Sequence, residues 1–151
     1  MAKLIITTDQ NFLRKVSKPV TVFDERLHRL LDDMRDTLSD ADGVGLAAVQ
    51  VGVLYRACIV RVANEVCELI NPEIILKGKD KVAEEMCLSI PGVSARVRRP
   101  QNVTVRAFDR NGNQFTREFY NVSSICACHE IDHLDGILFT DKAISGSESK
   151  K

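Results

Sequence analysis

Among the 151 residues, the groups best placed to do chemistry are concentrated in one pentad, His129-Glu130-Ile131-Asp132-His133, an HExxH pattern. Residues four apart share a helix face, so His129 and His133 can converge on a single metal ion. Glu130, one position along, projects to the side, where it can reach the water that such an ion carries in its open position. Two of the chain's three histidines lie in this pentad. On a buried helix, three such groups are costly polar cargo unless they serve a function. A catalytic divalent metal usually keeps three protein ligands and one open position, so a third ligand must come from elsewhere. A thiolate is a strong candidate, and Cys87 stands in Glu85-Met86-Cys87-Leu88-Ser89. Cys126 and Cys128 compete by their nearness in sequence. On a helix, however, Cys128 points about 100° away from His129, its neighbour, and Cys126 reads better as pocket wall.

These groups need elements to position them. Residues 123–135 read as a helix stopped by Gly136. Its apolar residues, among them Ile125, Cys126, Ala127, Ile131 and Leu134, lie on more than one face, the pattern of a buried helix. Upstream, Leu27, Leu30, Leu31, Met34 and Leu38 form a helical apolar stripe behind Asp24 as N-cap. The break at residues 40–43 ends that helix. Residues 43–50 read as a tightly packed turn and strand. Short β-branched runs at 56–62 and 66–70 are expected strands, the second ended by Pro72. Val103, Val105 and Ala107 alternate with polar residues, Asn111-Gly112 signals a hairpin, and 115–119 form its returning strand. The expected fold is α+β: short antiparallel strands around a buried central helix carrying HExxH, plus an N-terminal helix. One catalytic domain is expected over 1–144, with 145–151 (SGSESKK) as a flexible tail.

Composition excludes several classes of function. With 44% hydrophobic and 28% charged residues, the chain is not a disordered one. Lysine plus arginine and aspartate plus glutamate number 21 each, so no overall basic field exists to hold DNA. No apolar run approaches the ~20 residues of a membrane span. The N-terminus does not read as a secretory signal or an arginine-rich transit segment, which leads us to expect a cytoplasmic protein. The five cysteines are accordingly read as thiols in a reducing compartment.

Three separated motifs, Gly43-Val44-Gly45-Leu46-Ala47-Ala48-Val49-Gln50, Cys87-Leu88-Ser89 and His129 through Gly136, together resemble the peptide deformylases. Stretches at 13–19, 71–72 and 90–92 are similar to that family too, so the likeness spans nearly the whole chain. The resemblance implies removal of the formyl group from N-terminal formyl-methionine, releasing formate. Its partners would be N-formyl-methionyl peptides and nascent chains, met in transient proximity to the ribosome. It implies Cys87, His129 and His133 as ligands of one divalent ion, ferrous iron physiologically, with zinc or nickel able to take its place. Glu130 would be the proton carrier, with the Gln50 side-chain amide and the Leu88 backbone N–H as donors to the oxyanion. Val44 and Gly45 would offer backbone groups to an extended peptide, and Val44, Ile125, Cys126 and His129 would line the methionine pocket. The resemblance also implies a Glu85–Arg99 pair near the metal cysteine. Asp132 is open to two roles, orienting a ligand histidine or sitting on the helix surface.

The chain departs from the family pattern at Met86, where glycine is usual, and at Cys128, where glutamine is usual. Met86 could narrow the mouth of the site, and Cys128 places an extra, oxidisable thiol beside the metal helix. Two other readings compete. One is a catalytically weak or silent relative that binds metal or peptide ends. The other is an HExxH zinc endopeptidase, which would need a distant third ligand and leaves the first two motifs unexplained.

Overall fold

Residues 57–60 form an unbroken apolar run because the strand they build is covered on both faces there. In the computed structural model, which describes residues 4–150, β1 (Gly45–Ala47), β2 (Ala57–Val62), β3 (Glu65–Lys77), β6 (Asn102–Phe108) and β7 (Gln114–Tyr120) make one antiparallel sheet in the order β1-β2-β3-β6-β7. Side chains alternate across a strand, so Ala57 and Ile59 meet one helix while Cys58 and Val60 meet another. The first is α2 (Glu25–Asp40), whose stripe of Leu27, Leu31, Met34 and Leu38 packs on Leu46, Ala57, Ile59 and Ile70. Asp24 caps it by accepting a hydrogen bond from the Leu27 N–H at 3.2 Å. The second is α3 (Val122–Leu134), the expected buried helix, which packs on the opposite face with Cys58, Val60, Leu69, Val105 and Phe119. Gly136, at φ +75°, ends it. The Gly136 N–H bonds to the His133 carbonyl and the Ile137 N–H to the Asp132 carbonyl, a Schellman closure.

A second sheet, which the sequence pattern did not foresee, consists of β4 (Asp80–Cys87), β5 (Ile90–Pro100) and β8 (Ser149–Lys150). Asp80, Lys81, Glu84, Arg96 and Arg98 interrupt the β-branched signature that marks strands elsewhere. Ser149 and Lys150 pair with Ser94 and Val93. A short helix, α1 (Gln10–Leu13), precedes α2 and was also unforeseen. Pro72 does not end its strand as expected. β3 runs through it by shifting register between Ile70 and Glu73, the kind of irregularity in which proline is tolerated. Asn71 takes φ +51° there, and its side-chain amide bonds both backbone groups of Val20, at 2.7 and 2.9 Å.

Candidate active site

Three elements converge on one point. β4 ends in Cys87, α3 carries His129 and His133 on one face, and the turn after β1 presents Gln50. The ligand atoms of Cys87, His129 and His133 lie within 4.8 Å of one another, and all three residues are buried. Cys87 Sγ is 3.4 Å from His133 Nε2. A thiolate and two imidazoles form a donor set suited to zinc or iron-group divalent ions. Glu130 Oε1 and His133 Nδ1 are buried without a hydrogen-bond partner. Such orphans are rare unless a ligand or water completes them.

Period two on β4 turns Glu85 toward the same side as Cys87. There Glu85 Oε1 lies 2.8 Å from His129 Nδ1, which leaves the Nε2 of that ring for the centre. Glu85 is gripped in turn by Arg99, through Nε at 2.7 Å and Nη2 at 3.1 Å. Arg99 Nη1 reaches Asp132 at 2.6 Å, and Lys142 Nζ joins Asp132 at 3.0 Å. The Glu85–Arg99 pair is therefore present. The carboxylate that orients a histidine is Glu85, while Asp132 anchors the arginine. Spacing along the helix gave no signal for either role. Phe139 stacks on His129 from another side, ring centroids 5.9 Å apart.

Burial pushes the Glu130 carboxyl up to about 7 against the pull of His129 and Arg99, within the range in which a carboxylate can accept and return a proton near neutral pH. Burial also holds His133 down at about 3, aided by His129, so this ring is neutral as a metal ligand must be. Burial pulls His129 down, but Glu130, Cys87 and Glu85 outweigh it and carry the ring to about 10.

Gln50 is fixed at both ends of its amide. Its Oε1 accepts from the Ala47 N–H at 2.9 Å, and its Nε2 donates to Ser89 Oγ at 3.1 Å and toward Cys87 Sγ at 3.7 Å. Ser89, within the second motif, was not singled out from sequence as a partner for Gln50. Leu88 follows Cys87 in the turn between β4 and β5. Gln50, Leu88 and Glu130 all line one cavity of about 700 Å³. Val44, Gly45, Ile125 and Cys126 line it as well. Gly45 is a packing requirement, since a Cβ there would fall 2.5 Å from Cys126 Sγ and 2.7 Å from Glu130 Oε2. Cys126 is wall rather than ligand. Burial, then the charge of Glu130, raises its thiol well above the ordinary range, and Sγ donates to the Val44 carbonyl at 3.3 Å.

Met86 stands at the rim, 65% exposed, and leaves Cys87 in place. Cys128 is only 3% exposed, and burial raises its thiol to about 11. Both features work against the expected sensitivity to oxidation.

The chain is similar to known proteins over nearly its whole length. Residues 2–149 match the family profile of polypeptide deformylase. The chain is 52% identical over 145 residues to a peptide deformylase of Acetivibrio thermocellus, covering 95% of this chain and 85% of that protein. It is 49% identical over 142 residues to one from Alkaliphilus metalliredigens, covering 94% and 97%. The crystal structure of the Thermotoga maritima peptide deformylase superposes with a TM-score of 0.92 at 36% identity, over 95% of this chain and 99% of that one. The Synechococcus elongatus peptide deformylase, solved in complex with actinonin, gives a TM-score of 0.90 at 35% identity, over 97% and 82%.

Proposed function

The chain belongs to the polypeptide deformylase family, and we propose that it hydrolyses the formyl amide of N-formyl-methionyl peptides at a centre where Cys87, His129 and His133 hold one divalent ion. The observation that carries the assignment of residues is the convergence of those three ligand atoms within 4.8 Å beside the unpartnered Glu130 Oε1. A thermolysin-like endopeptidase has no use for Cys87 in that position. A silent relative has none for a buried carboxylate poised near neutral pH. Ferrous iron is the physiological ion on this reading, with zinc or nickel able to use the same ligands.

Such an ion, when bound, lowers the pKa of water and polarises a carbonyl oxygen. The remaining work falls to the chain. Glu130 takes a proton from the attacking water and delivers it to the leaving amine nitrogen as the carbon–nitrogen bond breaks, giving formate and a free N-terminus. Gln50 Nε2 and the Leu88 N–H donate to the former formyl oxygen as it gains charge, each such donor being worth about 10² to 10³ in rate. β1 is the edge strand of its sheet and β4 the edge strand of the other, and the cavity lies between Val44 and Gly45 on one side and residues 83–86 on the other. An extended peptide can add there as a strand, with its methionine side chain against Ile125 and Cys126. No helix among the described residues is long and apolar enough to cross a membrane. We place the enzyme in the cytoplasm among nascent chains.

Product analysis tests this reading. Metal-loaded protein and formyl-Met-Ala-Ser should give formate and intact Met-Ala-Ser in equal amounts. Cleavage of an internal peptide bond would support the endopeptidase reading. Stoichiometric metal without any product would support the silent relative.

A further inference from the structure

The turn after the metal cysteine consists of Leu88 and Ser89 alone, because Cys87 and Ile90 pair directly across it. Among the described residues no hydrogen bond engages the Leu88 N–H, the second oxyanion donor on the reading above. A free donor is what that role needs, but no ladder bond then aims it, and the aim falls to the side chains of the turn. Ser89 is buried and accepts from Gln50 Nε2 at 3.1 Å, which ties the turn to the other donor.

Leu88 goes the opposite way. Its half-buried side chain packs against the apolar cluster under α2, on the face of the large sheet away from α3. The contact is made at Gly43. A Cβ there would fall 2.8 Å from Leu38 Cδ1 and 3.0 Å from Leu88 Cδ1, so both methyl groups occupy the space that a side chain at 43 would fill. Gly43 is itself clamped, its N–H bonding the Leu38 carbonyl at 3.2 Å and its carbonyl accepting from Arg61 Nε at 3.2 Å. Leu38 is fully buried in the last turn of α2. A fixed helix end and a fixed backbone thus form a notch that closes on Leu88, and close-packed interiors transmit displacement rather than absorb it.

We infer that Leu38 is a positioning residue for the reaction. Through the Leu88 side chain it sets the direction of the Leu88 N–H, although Leu38 does not line the cavity. This rests on the deformylase reading and gives that same site a support from the far side of the sheet. The N–H meets an oxygen that gains charge only as the transition state forms. A misaimed donor therefore raises the barrier more than it weakens the binding of substrate, and the loss belongs in kcat rather than KM.

The test is kcat and KM for formate release from formyl-Met-Ala-Ser by iron-loaded wild type, Leu38→Ala and Leu31→Ala, each per bound metal ion. Leu38→Ala should lower kcat about tenfold, a part of the about 10² to 10³ that losing a donor outright costs, and leave KM nearly unchanged. Leu31 is equally buried about two turns back along the same helix, so its variant measures the effect of a core cavity alone. Leu31→Ala should keep the wild-type kcat. If Leu38→Ala does not fold, Leu88→Ala opens the same contact from its half-buried side and should show the same fall. A wild-type kcat in Leu38→Ala, or in Leu88→Ala where it stands in, overturns the inference. So does a loss carried in KM, or an equal fall of kcat in Leu31→Ala. Failure of the deformylase reading looks different: the wild type itself releases no formate.

Discussion

Two arginine–carboxylate networks tie helices to sheets in this chain, built to the same plan but ending in different places. In one, Arg110 bridges Glu68 at 2.6 and 2.9 Å and Asp32 of α2 at 2.8 Å, and Arg35 adds a second cation on Glu68 at 2.7 Å. In the other, Arg99 bridges Glu85 and Asp132 of α3, and Lys142 adds the second cation on Asp132. Burial works to raise both glutamates, and hydrogen bonds outweigh it and hold each carboxyl below its ordinary range, from Arg110 and Arg35 at Glu68 and from His129 and Arg99 at Glu85. The difference is solvent. The side chain of Arg110 is 27% exposed and that of Arg35 41%, against 3% for Arg99 and 4% for Glu85. The buried network also continues into His129. An ion-pair network at the surface fastens α2, whereas the same design taken out of water holds a metal ligand in its tautomer and direction. Burial makes the second network costly to break, and its last member gives it a function.

The largest expected effect comes from breaking the buried network. Arg99→Ala strands Glu85 and Asp132 and should destabilise the fold by about 3 to 5 kcal/mol, the usual consequence of leaving a buried charge unpaired. Denaturant titration of the metal-free protein reads this directly. By freeing His129 from its oriented partner, the same variant should also lower metal affinity by about 10- to 100-fold. Arg110→Ala sharpens the contrast from the other side, because the partly exposed network should lose only about 1 kcal/mol or less. Its metal affinity should match the wild type. Equal losses in the two variants would mean that the networks do not differ in kind.

The sequence was most informative where chemistry is local. The HExxH spacing placed His129, Glu130 and His133 on α3, and the apolar residues on several of its faces foretold its burial. Gly136 marked its end. What escaped the sequence depends on distant partners. Glu85 meets His129 from 44 residues away, and Arg99 meets Asp132 across 33, neither of which local periodicity can register. Cys87 was found through its motif while the strand that carries it went unseen, since the charged residues of β4 and β5 hide the strand signature. Pro72 misled because proline stops a regular ladder, whereas β3 accommodates it at a register shift. The extra thiol of Cys128 drew attention through its neighbours in sequence, and its burial is a tertiary property that those neighbours do not reveal.

At the centre of this account is Glu130, a buried carboxylate with one unpartnered oxygen beside three converging ligands, as the group that moves the proton. The direct measurement is the rate of formate release by wild type and Glu130→Gln at matched metal occupancy. Glutamine keeps the shape and removes the proton acceptor, so the rate should fall by about 10² to 10⁴. Formate release undiminished in Glu130→Gln, with one metal ion bound per chain, would contradict the account.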